Sequence, residues 1–302
     1  SSCAASGGGA GAFNSIEYVL ESGYSTKNRV SAGSPLEVIC HVGTTALEDQ
    51  GTDNINVTGW TLDAANYLEL RSADPENRCR VRSGTGSVGP VQNSGATHFR
   101  MRHMQIEATH GSTNHAYGWR SNGVVANSAI ELEGNVFLYQ GTTSARCLGI
   151  ELKSASGGNG VTFKAWNNTV IGFDCDTNSH GIVAGSASRT DMVFALYNNT
   201  VRNSRRGIYL ERYDASNAYH VKNNLLCGAN VADYGSESTQ ASLTTATNMT
   251  CDATSPNSLG SASITFADAS LPDVSSGDSI DAGTELSADG QIAFSDDYIK
   301  TA

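Results

Sequence analysis

The strongest constraint in this chain is a motif that returns along the sequence. Four segments align without gaps on a single asparagine: Ile130-Glu-Leu-Glu-Gly-Asn135, Phe163-Lys-Ala-Trp-Asn-Asn168, Phe194-Ala-Leu-Tyr-Asn-Asn199 and Tyr219-His-Val-Lys-Asn-Asn224. The aligned asparagines stand 33, 31 and 25 positions apart. A second row, Gly149-Ile150, Gly181-Ile182 and Gly207-Ile208, follows the first three. Five and three residues before each Asn the side chain is apolar, and four and two before it is mostly polar or amphipathic. Such period-two alternation marks a strand with one buried face. The closing Asn suits a turn and can hydrogen-bond to its neighbours above and below. A coil of this length cannot bury its own apolar face, so coils must stack. The expected fold is therefore all-β, a right-handed single-stranded parallel β-helix.

Further strands fit the same register. Phe99-Arg-Met-Arg102 places Phe99 and Met101 inward, and Leu36 to Cys40 and Tyr67 to Leu70 supply earlier coils. Over residues 12–22 the spacing of Phe13, Ile16 and Leu20 predicts a short helix that Gly23 stops, capping the open end of the stack. The expected organisation is an N-terminal cap over 1–35, a β-helix over 36–270 and an irregular acidic tail over 271–302. Ser263-Ile-Thr-Phe266 is the last expected strand.

Asn-Asn-Thr-Val at 167–170 and again at 198–201, followed in each case by Gly-Ile, resembles the repeat of the pectate-lyase-like superfamily of right-handed parallel β-helices. Val57-Thr-Gly-Trp60, Asn66-Tyr-Leu-Glu-Leu70 and Ser279-Ile-Asp-Ala-Gly283 resemble β-helix proteins of environmental bacteria and phages. The resemblance covers most of the chain. It implies the fold and is nearly silent on function.

Composition excludes several classes. Charged residues make up 16% of the chain and 32 residues are Gly, which disfavours long helices and suits short strands with tight turns. No apolar run is long enough for a membrane span. The first residues show no signal-peptide pattern, and the missing initiator Met fits a processed or truncated chain. The net charge of −11 argues against a nucleic-acid partner and for solubility in salty or extracellular surroundings. None of the seven cysteines forms a C-x-x-C pair, so zinc is not expected. Their scatter fits either disulfides or buried thiols. Cys227 and Cys251, about one coil apart, are the pair best placed for a bridge.

Candidate sites are few. Stacking the Gly-Ile row aligns Glu151, Val183 and Tyr209 outward, and beside them Lys153, Gly185 and Glu211. Lys153, Glu211, Tyr209 and Arg212 thus form the best catalytic patch available, although a solvated charge ladder accounts for it more simply. The signature strings of pectate lyases and polygalacturonases are absent, and Ser179-His180-Gly181 only imitates the latter. A second outward row, Arg102, Glu133, Trp166, Tyr197 and Lys222, offers two adjacent aromatics for a sugar ring, a second subunit or a covering loop. Asp174, Asp176 and Asn178 alternate as calcium ligands do, but a turn rich in Asp and Asn is the simpler account, and no other cofactor is expected.

Three remaining patterns read as ordinary surface chemistry. Gly84 to Gly89 matches G-x-G-x-x-G without the strand and helix that would give it meaning. His98, His103, His110 and His115 show no zinc spacing. Of the sequons at Asn56, Asn167, Asn198 and Asn248, the two inside the repeat are expected to be structural. The expected function is a non-enzymatic structural or adhesive β-helix on a cell surface, filament or virion, self-associating and able to contact glycans. The alternatives are a lyase or glycoside hydrolase acting on an acidic polysaccharide, and a carbohydrate-binding module.

Overall fold

A computed structural model describes residues 2–6, 11–13, 16–23, 27–41, 47–49, 54–83, 89–109, 115–121, 123–142, 145–153, 158–185, 189–211, 216–236, 243–246, 248–251, 258–261, 264–266 and 274–277. Successive strands rotate through three sheets, of ten, nine and seven strands, to make a parallel β-solenoid. The aligned repeat forms the first sheet. There Leu36–His41, Leu68–Ser72, His98–Arg102, Ala129–Glu133, Thr162–Trp166, Val193–Tyr197 and Ala218–Lys222 lie side by side in parallel.

Ile130, Phe163, Phe194 and Tyr219 pair directly across neighbouring strands, as do Leu132, Ala165, Leu196 and Val221. All eight are fully buried. The rings of Phe163, Phe194 and Tyr219 stack at centroid distances of 5.4 and 4.9 Å, close to the spacing of adjacent strands. The expected register therefore holds, and the core is a set of like-on-like rows running along the axis.

The turn from the first sheet to the second explains the asparagines. Asn167, Asn198 and Asn223 adopt φ values of 55°, 52° and 54°, a left-handed conformation that Asn tolerates better than most residues. The next Asn turns inward and builds a buried ladder. Asn168 Nδ2 donates to the Leu132 carbonyl (2.9 Å) and to Asn199 Oδ1 (3.0 Å), while Asn168 Oδ1 accepts from the Asn135 N–H (3.0 Å). The same pattern continues through Asn199 and Asn224 to Asn248. This ladder satisfies backbone groups that the tight corner would otherwise bury unpaired.

The third sheet uses glycine for close approach. A Cβ on Gly149 would stand 2.4 Å from the Gly181 carbonyl oxygen and 2.2 Å from Val170 Cγ1, so no larger residue fits without displacing the neighbouring coil. The Ile that follows each Gly (Ile150, Ile182, Ile208) faces the core.

Disulfides join coils at three places. Cys227 bonds Cys251 as expected, and Cys40–Cys79 and Cys147–Cys175 add two more.

The ends differ from expectation. Instead of one helix over 12–22, Gly11–Phe13 is a strand paired antiparallel with Ser2–Ser6, which itself lies antiparallel on Leu36–His41. The expected helix is present in part: residues 16–23 are helical, Tyr18–Gly23 as a π-helical segment, and they bury Ile16, Val19 and Leu20. Trp60 Nε1 caps that segment by donating to the Leu20 carbonyl at 2.9 Å. Antiparallel strands close the sheet edge directly, and their backbone bonds take residues 11–13 out of the helix. At the other end Ile264–Phe266 pairs antiparallel with Val274–Gly277, so a strand occurs inside the segment expected to be irregular.

Candidate functional site

The outer face of the third sheet concentrates the polar chemistry. Ala116–Ser121, Cys147–Leu152, His180–Ala184 and Arg206–Leu210 run parallel there. Their register sets Arg120, Glu151, Val183 and Tyr209 in one outward row, and Tyr117, Leu148 and His180 in the row beside it. The predicted row of Glu151, Val183 and Tyr209 is thus present. Lys153 and Glu211 also meet, with Nζ 2.7 Å from Oε2.

Beside the patch Glu151 is not a solvated charge, whereas Lys153 and Glu211 stay partly exposed in their ion pair. Glu151 is only 5% exposed, because Tyr117, Leu148 and Val183 pack into an apolar cluster on this outer face, with Tyr209 against them. Burial pushes the Glu151 carboxyl up, against the pull of Arg120, whose Nε lies 3.2 Å from Oε2. The Tyr117 hydroxyl is likewise raised by burial and then by Glu151, and it lies 3.2 Å from His115 Nδ1.

His180 is the most perturbed group. It is 3% exposed, its ring stacks on Tyr209 at 4.6 Å, and its Nδ1 is buried without a hydrogen-bond partner. Burial, reinforced by Arg146, Arg206 and Lys153, lowers it to about 3. It is a neutral imidazole held among cations.

Sequence reasoning set His180 aside and missed Tyr117, Arg120, Arg146 and Arg206. The signal was available one coil earlier. Gly118 sits in the same row as Gly149 and Gly181, and extending the glycine row to it would have aligned Arg120 with Glu151 and Tyr117 with His180. Arg212 lies outside the described residues.

The aromatic row is assembled as expected, and of the settings open to it the structure shows covered rings. Arg102, Glu133, Trp166, Tyr197 and Lys222 are register partners on successive strands. Arg102 and Glu133 form a 2.8 Å ion pair, and Lys222 Nζ lies 5.4 Å from the Tyr197 ring. Trp166 is only 8% exposed, however, and Tyr197 is 0% exposed. With Ala195 they form a buried cluster separate from the core, so the open platform is absent. An apolar strip of that size is seldom left in water.

The remaining candidates resolve into local structure. Asp176 Oδ1 accepts from the Ser179 hydroxyl (2.8 Å) and the Asn178 N–H (3.0 Å), a side-chain-capped turn. Asp174 accepts from Asn230 and faces Arg205, while Cys175 between the two acids is held in its disulfide. Asp174, Asp176 and Asn178 are therefore engaged in turn chemistry. Among the described residues no group of three or more His, Cys, Asp or Glu is placed to hold a metal ion. Nor is any described helix long and apolar enough to cross a membrane. His110 and residues 84–88 of the glycine motif lie outside the described residues. Asn167 and Asn198 occupy the left-handed turn positions.

The chain matches no family model, no curated protein and no solved structure.

Proposed function

We propose that this protein is a non-enzymatic structural or adhesive β-helix displayed outside the cell, on a surface, a filament or a virion. The observation that carries the reading is how its charges are used. Outward charges pair from coil to coil: Glu37 with Arg71, Arg100 with Glu131, Arg102 with Glu133, Arg120 with Glu151, and Lys153 with Glu211. On the second sheet Glu107 receives both Arg80 and Arg82. Carboxylates committed in this way knit a stack together and, among the described residues, tie Glu151 to Arg120 and Glu211 to Lys153. The three disulfides support an oxidising, extracellular setting. Right-handed winding and kinship with the pectate-lyase-like superfamily belong to the same proposal and rest on the Asn-Asn-Thr-Val repeats.

One observation favours a second reading, a polysaccharide lyase or hydrolase. A buried carboxyl with a raised pKa, such as Glu151, is what a general acid needs. The arginine at 3.2 Å opposes that role by favouring the carboxylate.

A polysaccharide panel tests both. The expected outcome is no reducing-end or unsaturated product from wild-type protein, with native material forming a defined assembly by light scattering and electron microscopy. Lys153→Ala and Glu211→Ala should each change stability by no more than about 0.5 kcal/mol, since a partly exposed ion pair contributes little. Cleavage that disappears in either variant, or in Glu151→Gln, would overturn the structural reading.

A further inference from the structure

Three cysteines compete for one bond at the N-terminal end of the stack. Six of the chain's seven cysteines are joined as Cys40–Cys79, Cys147–Cys175 and Cys227–Cys251, so Cys3 has no cysteine left to pair with inside the molecule. Its strand nevertheless lies against one of those bridges. Ser2–Ser6 runs antiparallel on Leu36–His41 in an unbroken register, and Cys3 stands directly opposite Cys40. Directly opposite residues of an antiparallel pair leave the sheet on the same face, with Cα atoms about 4.5–5.5 Å apart. A disulfide spans Cα separations of about 4.4–6.8 Å. The register therefore holds Cys3 at bridging distance from a cysteine that is already bonded to Cys79.

The surroundings favour exchange within the molecule over attack from outside. Cys40 and Cys79 are each 1% exposed, so a thiol in solution reaches their bond poorly, whereas Cys3 is delivered by backbone pairing. The two positions of the bond also tie different parts together. Cys40–Cys79 clips the first coil to the second, since Cys79 directly precedes the strand Arg80–Ser83. A Cys3–Cys40 bond would instead fasten Ser2–Ser6 to the strand whose edge it closes. Moving one bond thus exchanges a clip between coils for a pinned cap, and a pinned cap keeps that sheet edge from pairing with another chain.

We infer that Cys3 is the attacking thiol of an internal thiol–disulfide exchange at the Cys40–Cys79 bridge, and that this exchange locks or releases the N-terminal cap. The Cys3 thiolate attacks Cys40 Sγ. The Cys3–Cys40 bond forms as the Cys40–Cys79 bond breaks, and Cys79 leaves as a thiolate that takes up the proton given up by Cys3. One disulfide and one thiol are present before and after, so no oxidant or reductant is consumed. The inference does not depend on the scaffold reading, because the exchange takes place within one molecule and requires no assembly.

Non-reducing tryptic peptide mapping tests it, because cleavage after Lys27, Arg71 and Arg78 puts Cys3, Cys40 and Cys79 on separate peptides. The oxidised full chain is held in mildly alkaline buffer, where thiols ionise, then quenched in acid and alkylated in denaturant with N-ethylmaleimide. The expected result is two bridged species, Cys3–Cys40 and Cys40–Cys79, with the maleimide divided between Cys79 and Cys3. Cys3→Ser should keep its circular dichroism spectrum, hold the Cys40–Cys79 bridge alone and lower Cys79 labelling at least tenfold. Cys79→Ser should bridge Cys3 to Cys40 within one molecule. The inference is overturned if wild type holds Cys40–Cys79 alone with Cys3 fully labelled, if Cys3 joins two copies in place of Cys40, or if Cys79 labels equally in wild type and Cys3→Ser. The wild-type map decides the matter even where Cys79→Ser does not fold.

Discussion

Asn168→Ala is expected to destabilise the solenoid by about 2–4 kcal/mol, far more than an ordinary surface substitution. The side chain donates to the Leu132 carbonyl and Asn199 Oδ1, and accepts from both the N–H and the Nδ2 of Asn135. Truncation leaves the Asn135 N–H buried without a partner at roughly 1–3 kcal/mol, removes the side-chain bond to the Leu132 carbonyl, and interrupts a ladder that runs on through Asn199 and Asn224. The adjacent Asn167 provides the control. It supplies the left-handed turn at φ 55° but lies outside the ladder, so Asn167→Ala should cost only about 1–2 kcal/mol of backbone strain. Denaturant unfolding of the two variants gives the comparison. Equal losses would show that the ladder contributes no more than turn conformation.

A second large effect is expected in acid. His180 titrates ordinarily near 6.5 and is lowered to about 3 in the fold by burial and then by Arg146, Arg206 and Lys153. Between those pH values the unfolded chain binds a proton that the folded chain refuses. Stability from this group is therefore whole above about pH 6.5 and is lost as pH falls toward 3. At roughly 1.4 kcal/mol per pH unit, the loss attributable to His180 reaches on the order of 3 kcal/mol by about pH 4. Replacing it with Phe keeps an aromatic ring on Tyr209 and removes the proton site. Unfolding free energies measured from about pH 7 to pH 4 should fall more steeply for wild type than for His180→Phe. Parallel curves would mean that His180 is not held neutral. Other groups move as well. Glu69 and Glu151 are raised by burial, whereas Glu107 is lowered because hydrogen bonds from Arg82, Arg80 and Gln105 outweigh its burial. The difference between the two proteins therefore isolates His180 better than the wild-type curve alone.

Much of the architecture was legible because its causes are local and repeated. Alternation at Phe163/Ala165 and Phe194/Leu196 states which face is buried, and a one-residue slip would turn every one of those side chains outward. The Asn and Gly-Ile rows then set how coils align. From that alignment the pairing of Lys153 with Glu211, and of Trp166 with Tyr197, could be read before any coordinate. The N-terminal segment was less legible. Phe13, Ile16 and Leu20 fit a helical face, yet Phe13 lies in a strand, because bonds to Ser2–Ser6 are non-local and leave no spacing signature.

The sequence by itself determined the solenoid, its register and the residues that neighbour one another along each outer row, since each follows from a period and a turn requirement. It also placed Cys227 one coil from Cys251. Tertiary structure alone decided how each outer row meets solvent. Tyr197 and Glu151 sit at outward positions and are nevertheless buried, and His180 becomes a neutral imidazole among cations. The physical reason is that strand parity fixes only the direction in which a side chain leaves the sheet. Its exposure, and with it its pKa and its chemistry, depends on groups brought from distant positions to pack around it.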